Sequence, residues 1–295
     1  MNRREFIKAC AIGGTLAAMS RLSLPAVAEE KKNTAILKLS SQDSRIPGGS
    51  IKEKVANIEK WGGCGIEFGG NPSGKIKEIQ DAINGTNVKV SALCWGSHGG
   101  DLVSMDMEKR KKGIKDIKDA LTTAGELGST GVIFVPCFNG QSNLKPDEIR
   151  KILIDILPDV GEHAAKCKTR ILLEPLNVGE TFYLRRLEQA ASICNELKNP
   201  GVAMMGDFYH MKKEETSDRE AFVAAGTYLH HVHLASTTRK LPGQDDRSFV
   251  EGFRGLKLIG YQDYCSLECG CKGKPEEEIP KAFSFLKKQW EEATI

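Results

Sequence analysis

Four side chains able to bind a metal recur at similar places in the second half of the chain. Glu174 follows the apolar run Ile-Leu-Leu, Asp207 follows a longer apolar run, and His233 lies near the end of a third. Glu268 follows a fourth such run, and the successive intervals are 33, 26 and 35 residues. Each interval is about the length of one strand–helix unit. We therefore expect the four side chains at the same level of four successive strands.

Together these side chains favour a divalent metal site. Three carboxylates gathered in one place would repel one another unless a cation lay between them. Two Glu, one Asp and one His offer oxygen ligands plus one imidazole, which suits manganese, cobalt or magnesium first and zinc or iron next. Taken singly, each has a simpler explanation, because a carboxylate at a strand end can cap the next helix and His233 can be a core histidine.

A metal in such a site would support proton transfer at carbon. Removing a proton from carbon next to a carbonyl leaves negative charge on oxygen, and a divalent ion chelated by two adjacent oxygens stabilises that charge as an ene-diolate. Glu174 and Glu268 come from different strands and could flank the reacting carbon. One would take the proton and the other return it, which inverts a centre or moves the carbonyl.

The elements that must position these residues alternate regularly. Eight short apolar segments, beginning with 35–39, 64–68, 88–95 and 131–135, read as strands, and the last four carry the residues above. Helical patterns follow each of them, at 50–61, 75–83, 107–127, 146–167, 184–197, 218–226, 249–259 and 276–292. This order predicts a parallel sheet closed into a single-domain (β/α)8 TIM barrel. A doubly wound open sheet is the alternative, and it lacks a glycine-rich fingerprint after the first strand.

The N-terminus has the three parts of an export signal. Arg3 and Arg4 precede a short apolar run, and Ala-Val-Ala stands before Glu29. The pattern predicts a twin-arginine signal peptide over residues 1–28, a barrel domain over 29–295 and a periplasmic location. The apolar run is too short for stable membrane insertion. A basic N-terminus on a cytoplasmic protein is the alternative.

The charge balance limits the kind of partner that the chain can bind. The leader holds four of the 42 basic residues and one of the 39 acidic residues, so the remaining chain carries 38 of each and no formal net charge. This balance disfavours a nucleic-acid partner, and the basic run 109–112 reads as a solvated helix face.

Eight cysteines follow the leader. Cys64, Cys94 and Cys265 read as buried thiols, and a disulfide of Cys269 or Cys271 is left open.

Several motifs carry a family resemblance. They are LEPLN with Glu180 six residues after Glu174, GDFYHM, HVHLASTTRKLPG and the closing LEC. With them the chain resembles the xylose-isomerase-like barrel superfamily, and within it the ketose 3-epimerases and hydroxypyruvate-isomerase-like proteins. The resemblance implies that the four residues above bind the metal and that Glu180, His210 and Arg239 hold substrate hydroxyls. The segment Ala-Ser-Thr-Thr at 235–238 departs from the charged or amide residue that the epimerases often have there.

Further residues at predicted strand ends are candidates for the pocket wall. Glu67 ends the second strand, and Trp95 and His98 follow the third. Ordinary barrel packing is the alternative for Glu67 and Trp95. For His210, three residues after Asp207, the alternative is a histidine on a surface loop.

These observations lead to a metal-dependent isomerase or epimerase of an unphosphorylated keto sugar. No cluster of Lys and Arg at strand ends indicates a phosphate site. The same site could instead eliminate a leaving group from a 3-keto-glycoside, which would make the protein a lyase. A non-catalytic exported sugar-binding protein is a third hypothesis. A nuclease of the endonuclease IV type is disfavoured, because its multi-zinc site needs more histidines than six can supply at strand ends. A homo-oligomer is left open.

Overall fold

A closed barrel of eight parallel strands organises the described part of the chain. The computed structural model describes residues 34–295. The strands pair in sequential order, and the eighth closes onto the first. They are β1 (Lys38–Gln42), β2 (Gly65–Gly69), β3 (Lys89–Gly96), β4 (Val132–Phe134), β5 (Ile171–Leu173), β6 (Val202–Asp207), β7 (Leu229–Leu234) and β8 (Tyr264–Leu267). The predicted (β/α)8 barrel is confirmed.

Helices cover the outside of the barrel. They are α1 (Ile51–Lys60), α2 (Ile76–Ile83), α3 (Met107–Glu126), α4 (Pro146–Lys166), α5 (Leu187–Leu197), α6 (Phe208–Glu214), α7 (Asp218–Ala225), α8 (Val250–Leu258) and α9 (Pro275–Glu292). Eight of the nine correspond to predicted helices, with ends displaced by up to three residues. The short helix α6 was not predicted, because seven residues give too little apolar periodicity to recognise.

The first strand lies further along the chain than predicted. It covers Lys38–Gln42 instead of 35–39, so it contains the polar residues Ser40, Ser41 and Gln42. Ser40 and Ser41 are buried nonetheless. The apolar signal therefore marked the segment that leads into β1, while the strand itself lines a polar part of the barrel.

Polar and apolar side chains occupy different parts of the barrel. A small apolar cluster, separate from the main core, comes from β3 to β6 and contains Ala92, Ile133, Leu172, Ala203 and Met205. The neighbouring strands β7, β8, β1 and β2 instead contribute fully buried polar side chains: His231, His233, Ser266, Ser40, Ser41 and Glu67. Burying so many polar groups is unfavourable unless they find partners. This polar side of the barrel is therefore where a site is expected.

The basic run 109–112 lies on the exposed side of α3, as the sequence predicted. Lys112 pairs with Asp116 and Lys115 with Asp119, each one helical turn away. The opposite face of α3 buries Ile117 and Leu121 against the core. The run is therefore part of an amphipathic helix whose charges are balanced locally.

All eight cysteines of residues 34–295 are free thiols. Cys265 is fully buried, whereas Cys64 and Cys94 are only partly so. The disulfide that the sequence left open for Cys269 or Cys271 is not formed within the described chain. Across the same residues, no helix is both long enough and apolar enough to cross a membrane.

Candidate metal and sugar site

The four predicted metal ligands meet at the C-terminal mouth of the barrel. Glu174 directly follows β5, Asp207 ends β6, His233 lies in β7 and Glu268 directly follows β8. One ligand atom of each lies within 4.8 Å of those of the others. The register explains the convergence, since Asp207 pairs with His233 across β6 and β7, and the Glu268 N–H donates to the Leu234 carbonyl.

Two atoms of this cluster are buried without a hydrogen-bond partner. They are Nδ1 of His233 and Oδ2 of Asp207. The Nδ1 atom lies 3.5 Å from Glu174 Oε1 and 3.2 Å from Glu268 Oε2. A buried lone pair and a buried carboxylate oxygen that both face one point are what a cation would satisfy. The donor set therefore fits a divalent ion held by carboxylate oxygens and one imidazole.

The electrostatics of the carboxylates agree with this fit. Burial raises the pKa of Asp207 well above its usual range, and the charge of Glu268 raises it further. Burial also raises the pKa of Glu174, although the imidazole of His233 opposes the rise. Burial acts in the same direction on Glu268, but His233 and then Arg239 outweigh it and lower its pKa to about 2. Three carboxylates therefore share too little positive charge for all to ionise easily, and a bound cation would supply it.

His233 is held between two groups of carboxylates. Its Nε2 lies 3.0 Å from Glu67 Oε2, on the side opposite to the cluster. Burial lowers the pKa of His233, but the charges of Glu67 and Glu268 outweigh burial and raise it well above its usual value. A proton and a cation would therefore compete for Nδ1.

Glu67 is fully buried and contacts the cluster through His233. Its side chain has no exposed surface, and it accepts hydrogen bonds from His231 Nε2 at 2.8 Å and from Gln42 Nε2 at 3.0 Å. Contact of Glu67 with a substrate stays a prediction, and in this structure its carboxylate is engaged by three side chains. Gln42 and His231 were missed by sequence reasoning. The signal available for His231 was its alternation with His233, which puts both side chains on the same face of β7.

Glu180, His210 and Arg239 lie together beside the cluster. Arg239 Nη1 is 3.3 Å from Glu180 Oε1, and its Nη2 donates to Glu268 Oε2 at 2.8 Å. The guanidinium also lies over the ring of Tyr209, 4.6 Å from its centroid. Arg239 has φ 56°, in a turn where its N–H donates to the carbonyl of Ser236. The segment 235–238, in which the chain departs from the epimerases, thus builds the turn that presents Arg239.

His210 is a buried histidine on α6 and not a surface residue. It is 1% exposed, and burial followed by the charge of Arg239 lowers its pKa to about 3. Its Nδ1 accepts hydrogen bonds from the backbone and side-chain N–H groups of Asn177. A neutral imidazole with Nδ1 so engaged carries its proton on Nε2, which lies 3.4 Å from Asp207 Oδ2. His210 therefore offers one N–H donor towards the cluster.

Trp95 and His98 form a separate aromatic pair at the end of β3. Their rings stack at 4.7 Å with an interplanar angle of 9°, and Trp95 also lies 6.2 Å from Phe134. His98 is 3.5 Å from both Asp101 and Asp116. These contacts anchor the pair to the loop after β3 and to α3. Contact with a substrate remains a prediction for both residues.

The fold and the site define a class of protein: a (β/α)8 barrel with a cluster of three carboxylates and one imidazole at its mouth. Residues 55–289 match the family described as xylose isomerase-like TIM barrel. The chain belongs to this family. It is 32% identical over 246 residues to the 3-dehydro-D-guloside 4-epimerase of Escherichia coli strain K12, covering 79% of this chain and 92% of that protein.

Solved structures resemble the barrel closely. The apo crystal structure of the 3-keto-D-glucoside 4-epimerase from E. coli has a TM-score of 0.79 and 28% identity, and the match covers 86% of this chain and all of that one. The D-psicose 3-epimerase of Clostridium cellulolyticum H10 with D-tagatose has a TM-score of 0.78 at 19% identity, covering 86% and 99% of the two chains. The second likeness concerns the fold alone.

Proposed function

We propose that this protein is a divalent-metal-dependent epimerase or isomerase of an unphosphorylated keto sugar. One observation carries the proposal. Glu174, Asp207, His233 and Glu268 place their ligand atoms within 4.8 Å of one another, and two of these buried atoms have no hydrogen-bond partner. The similarity to a relative named as a 4-epimerase of a keto sugar glycoside supports the same chemistry for this chain.

The proposed reaction needs a base and an acid near one carbon atom. A divalent cation, when bound, would draw electron density from the carbonyl and neighbouring hydroxyl oxygens of the sugar and so acidify the adjacent C–H bond. Glu174 and Glu268 reach this point from β5 and β8. One carboxylate takes the proton from carbon and the other returns a proton to the opposite face, which inverts the centre. Arg239 and Gln42 hold the two oxygens of Glu268 in place at 2.8 and 3.1 Å.

Glu180, His210 and Arg239 form a side wall of the site, and this wall is suited to hydroxyl groups. Glu180 can accept a hydrogen bond, whereas neutral His210 and Arg239 can donate. Among the described residues of this wall, Arg239 is the cation, and its guanidinium is already engaged by Glu268 and Glu180. A phosphate would therefore have to compete with two carboxylates. This supports an unphosphorylated substrate.

A separate cavity lies at the same end of the barrel. It has a volume of about 570 Å³ and lies between the ends of β1 and β2 and the start of α1. Asp43, which directly follows Gln42 of the site, is part of its lining, as are Phe68, Asn71 and Lys54. Its lining includes none of the residues of the proposed metal site, so it does not decide between a keto-glycoside and a free ketose.

The test is a metal analysis of purified residues 29–295, followed by turnover of free ketoses and 3-keto-glycosides in D₂O. We expect a metal-dependent epimer that carries deuterium at the inverted carbon, and loss of turnover on chelation. Glu174→Gln should abolish turnover. Asp263→Asn, which changes a carboxylate paired with His230 at the start of β8, should retain it and serves as the control. Undiminished turnover by Glu174→Gln would contradict the acid–base assignment.

The same experiment separates the alternatives. Release of an aglycone without an epimer would show a lyase that eliminates from 3-keto-glycosides. Binding of the sugars without turnover, in protein that carries its metal, would show a sugar-binding protein instead. Absence of a bound metal in wild-type protein, even after incubation with manganese, cobalt or magnesium, would contradict the proposed site itself.

A further inference from the structure

A second group of polar residues contacts the proposed metal site through His233 and Glu268. Glu67 is at its centre, fully buried in β2. Its Oε2 accepts from His231 Nε2 at 2.8 Å and from His233 Nε2 at 3.0 Å, and its Oε1 accepts from Gln42 Nε2 at 3.0 Å. A buried carboxylate is unfavourable unless donors surround it, and here three side chains donate to it.

The position of Glu67 determines which nitrogen of His233 is available to a cation. An ionised carboxylate only accepts hydrogen bonds, so the imidazole must keep its proton on Nε2 to contact Glu67. Nδ1 is then the ring nitrogen that can lose its proton to a metal. It lies 3.5 Å from Glu174 Oε1 and 3.2 Å from Glu268 Oε2, and it has no hydrogen-bond partner.

Gln42 connects this support to the cluster above it. Its single amide nitrogen donates to Glu67 Oε1 at 3.0 Å and to Glu268 Oε1 at 3.1 Å. An amide nitrogen carries two protons, so both hydrogen bonds can exist together. Gln42 thereby restrains one oxygen of Glu268, while Arg239 holds the other.

Resting on the proposed metal-dependent function, we propose that Glu67, Gln42 and His231 are positioning residues that preset His233 and Glu268 for metal binding. A second metal ion between Glu67, His231 and His233 is the competing explanation, because their ligand atoms also lie within 4.8 Å of one another. The separations of 2.8 and 3.0 Å are those of hydrogen bonds with the proton in place. Ions on both ring nitrogens would require His233 to lose both of its ring protons, and this requirement favours a support over a second metal site.

The test compares metal affinity in Glu67→Gln with that of the wild-type protein. The amide of Gln would turn an N–H towards either an imidazole N–H or the amide of Gln42, so one contact must break. Partners of metal-bound histidines typically change affinity by roughly 10- to 100-fold when mutated. We expect a loss of this size in manganese or cobalt affinity by competition titration. Ser91→Ala is the control, since it removes a buried hydrogen bond to Ser40 without touching Glu67.

A second readout distinguishes positioning from general loss of stability. The chain has six histidines, so imidazole N–H signals of the zinc-loaded protein can be resolved by NMR. The Nε2–H of His233 should give a downfield proton that moves upfield in Glu67→Gln and stays in Ser91→Ala. Gln42→Ala, at a partly exposed position, tests the same positioning role, and we expect a smaller loss of metal affinity. This variant provides the test if Glu67→Gln does not fold.

The outcomes separate this proposal from the proposed function. Equal metal affinity in the wild type, Glu67→Gln and Gln42→Ala would overturn the positioning role and leave the metal site intact. Two bound ions per wild-type chain, falling to one in Glu67→Gln, would overturn it in favour of a second metal site. Failure of the wild type to bind any metal would count against the proposed function first.

Discussion

Arg239 links the side wall of the site to the cluster of carboxylates. Its guanidinium contacts Glu268 with one nitrogen and Glu180 with another, while its flat face lies over Tyr209. A lysine has a single charged nitrogen and cannot make both contacts while stacking on a ring. The shape of the side chain therefore matters here as well as its charge.

The first prediction follows from this geometry. Arg239→Lys should lower kcat/KM for the sugar about 10- to 100-fold, because each hydrogen bond to a charged group is worth about 1.5–3 kcal/mol. Metal affinity should fall less than kcat/KM, because a lysine can still contact Glu268 with its single charged nitrogen while losing the contact with Glu180. Steady-state kinetics measure kcat/KM, and a metal titration of the same preparation measures metal affinity. A variant with normal kcat/KM would remove Arg239 from the proposed substrate wall.

The second prediction concerns the thiols. Burial raises the pKa of Cys194 to about 12 and also raises that of Cys265, so neither forms much thiolate near neutral pH. Both should resist iodoacetamide in the folded protein. Cys271 is more exposed than these two, so it should react before them, and faster as the pH rises. Mass spectrometry of labelled peptides, with an unfolded sample as the control, measures the order. Early labelling of Cys194 would contradict it.

At the scale of elements, α6 depends on a residue of the proposed metal site. Oδ1 of Asp207 accepts a hydrogen bond from the Tyr209 N–H at 2.7 Å and so caps the helix, while Oδ2 is left unpartnered. The helix in turn carries His210 into the side wall. One aspartate thus begins the element that holds a substrate residue and offers its second oxygen to the metal.

The third prediction separates these two roles of Asp207. Asp207→Asn keeps a capping oxygen but loses the charge, so metal affinity should fall while the metal-free melting temperature stays at or above that of the wild type. Asp207→Ala also loses the cap, which costs about 1 kcal/mol. Its melting temperature should therefore lie roughly 2–4 °C below that of Asp207→Asn. Calorimetry on metal-free protein measures the difference. Equal melting temperatures of the two variants would show that the cap contributes nothing.

At the scale of the whole molecule, the site exists because the barrel closes. Gln42 and Glu268 are 226 residues apart in sequence, and their hydrogen bond forms only where β1 pairs with β8. Glu67 and His233 are 166 residues apart and meet across the interior. Residues 55–289, which match the family, begin after β1, so Gln42 lies just outside that span.

The fourth prediction concerns the N-terminal leader, which lies outside the described residues. If residues 1–28 are a twin-arginine signal, the full chain should accumulate in the periplasm as a protein shortened by 28 residues. Replacing Arg3 and Arg4 by lysine should keep the charge and block export. Fractionation and N-terminal sequencing give the result, with Lys8→Arg as the control. Periplasmic protein from the double variant would exclude this route.

The sequence by itself determined the barrel and the four residues that cluster at its mouth. Their signals are local: alternating strand and helix patterns, and a polar residue at the end of each apolar run, which parallel strands must bring to one mouth. Only the tertiary structure decided which other polar side chains contact this cluster. Gln42 lies in a strand without an apolar signal, His231 precedes His233 in the same strand, and the contacts of Glu67, in the middle of β2, come from other strands. Their role depends on contacts between distant strands, and such contacts leave no pattern in a single sequence.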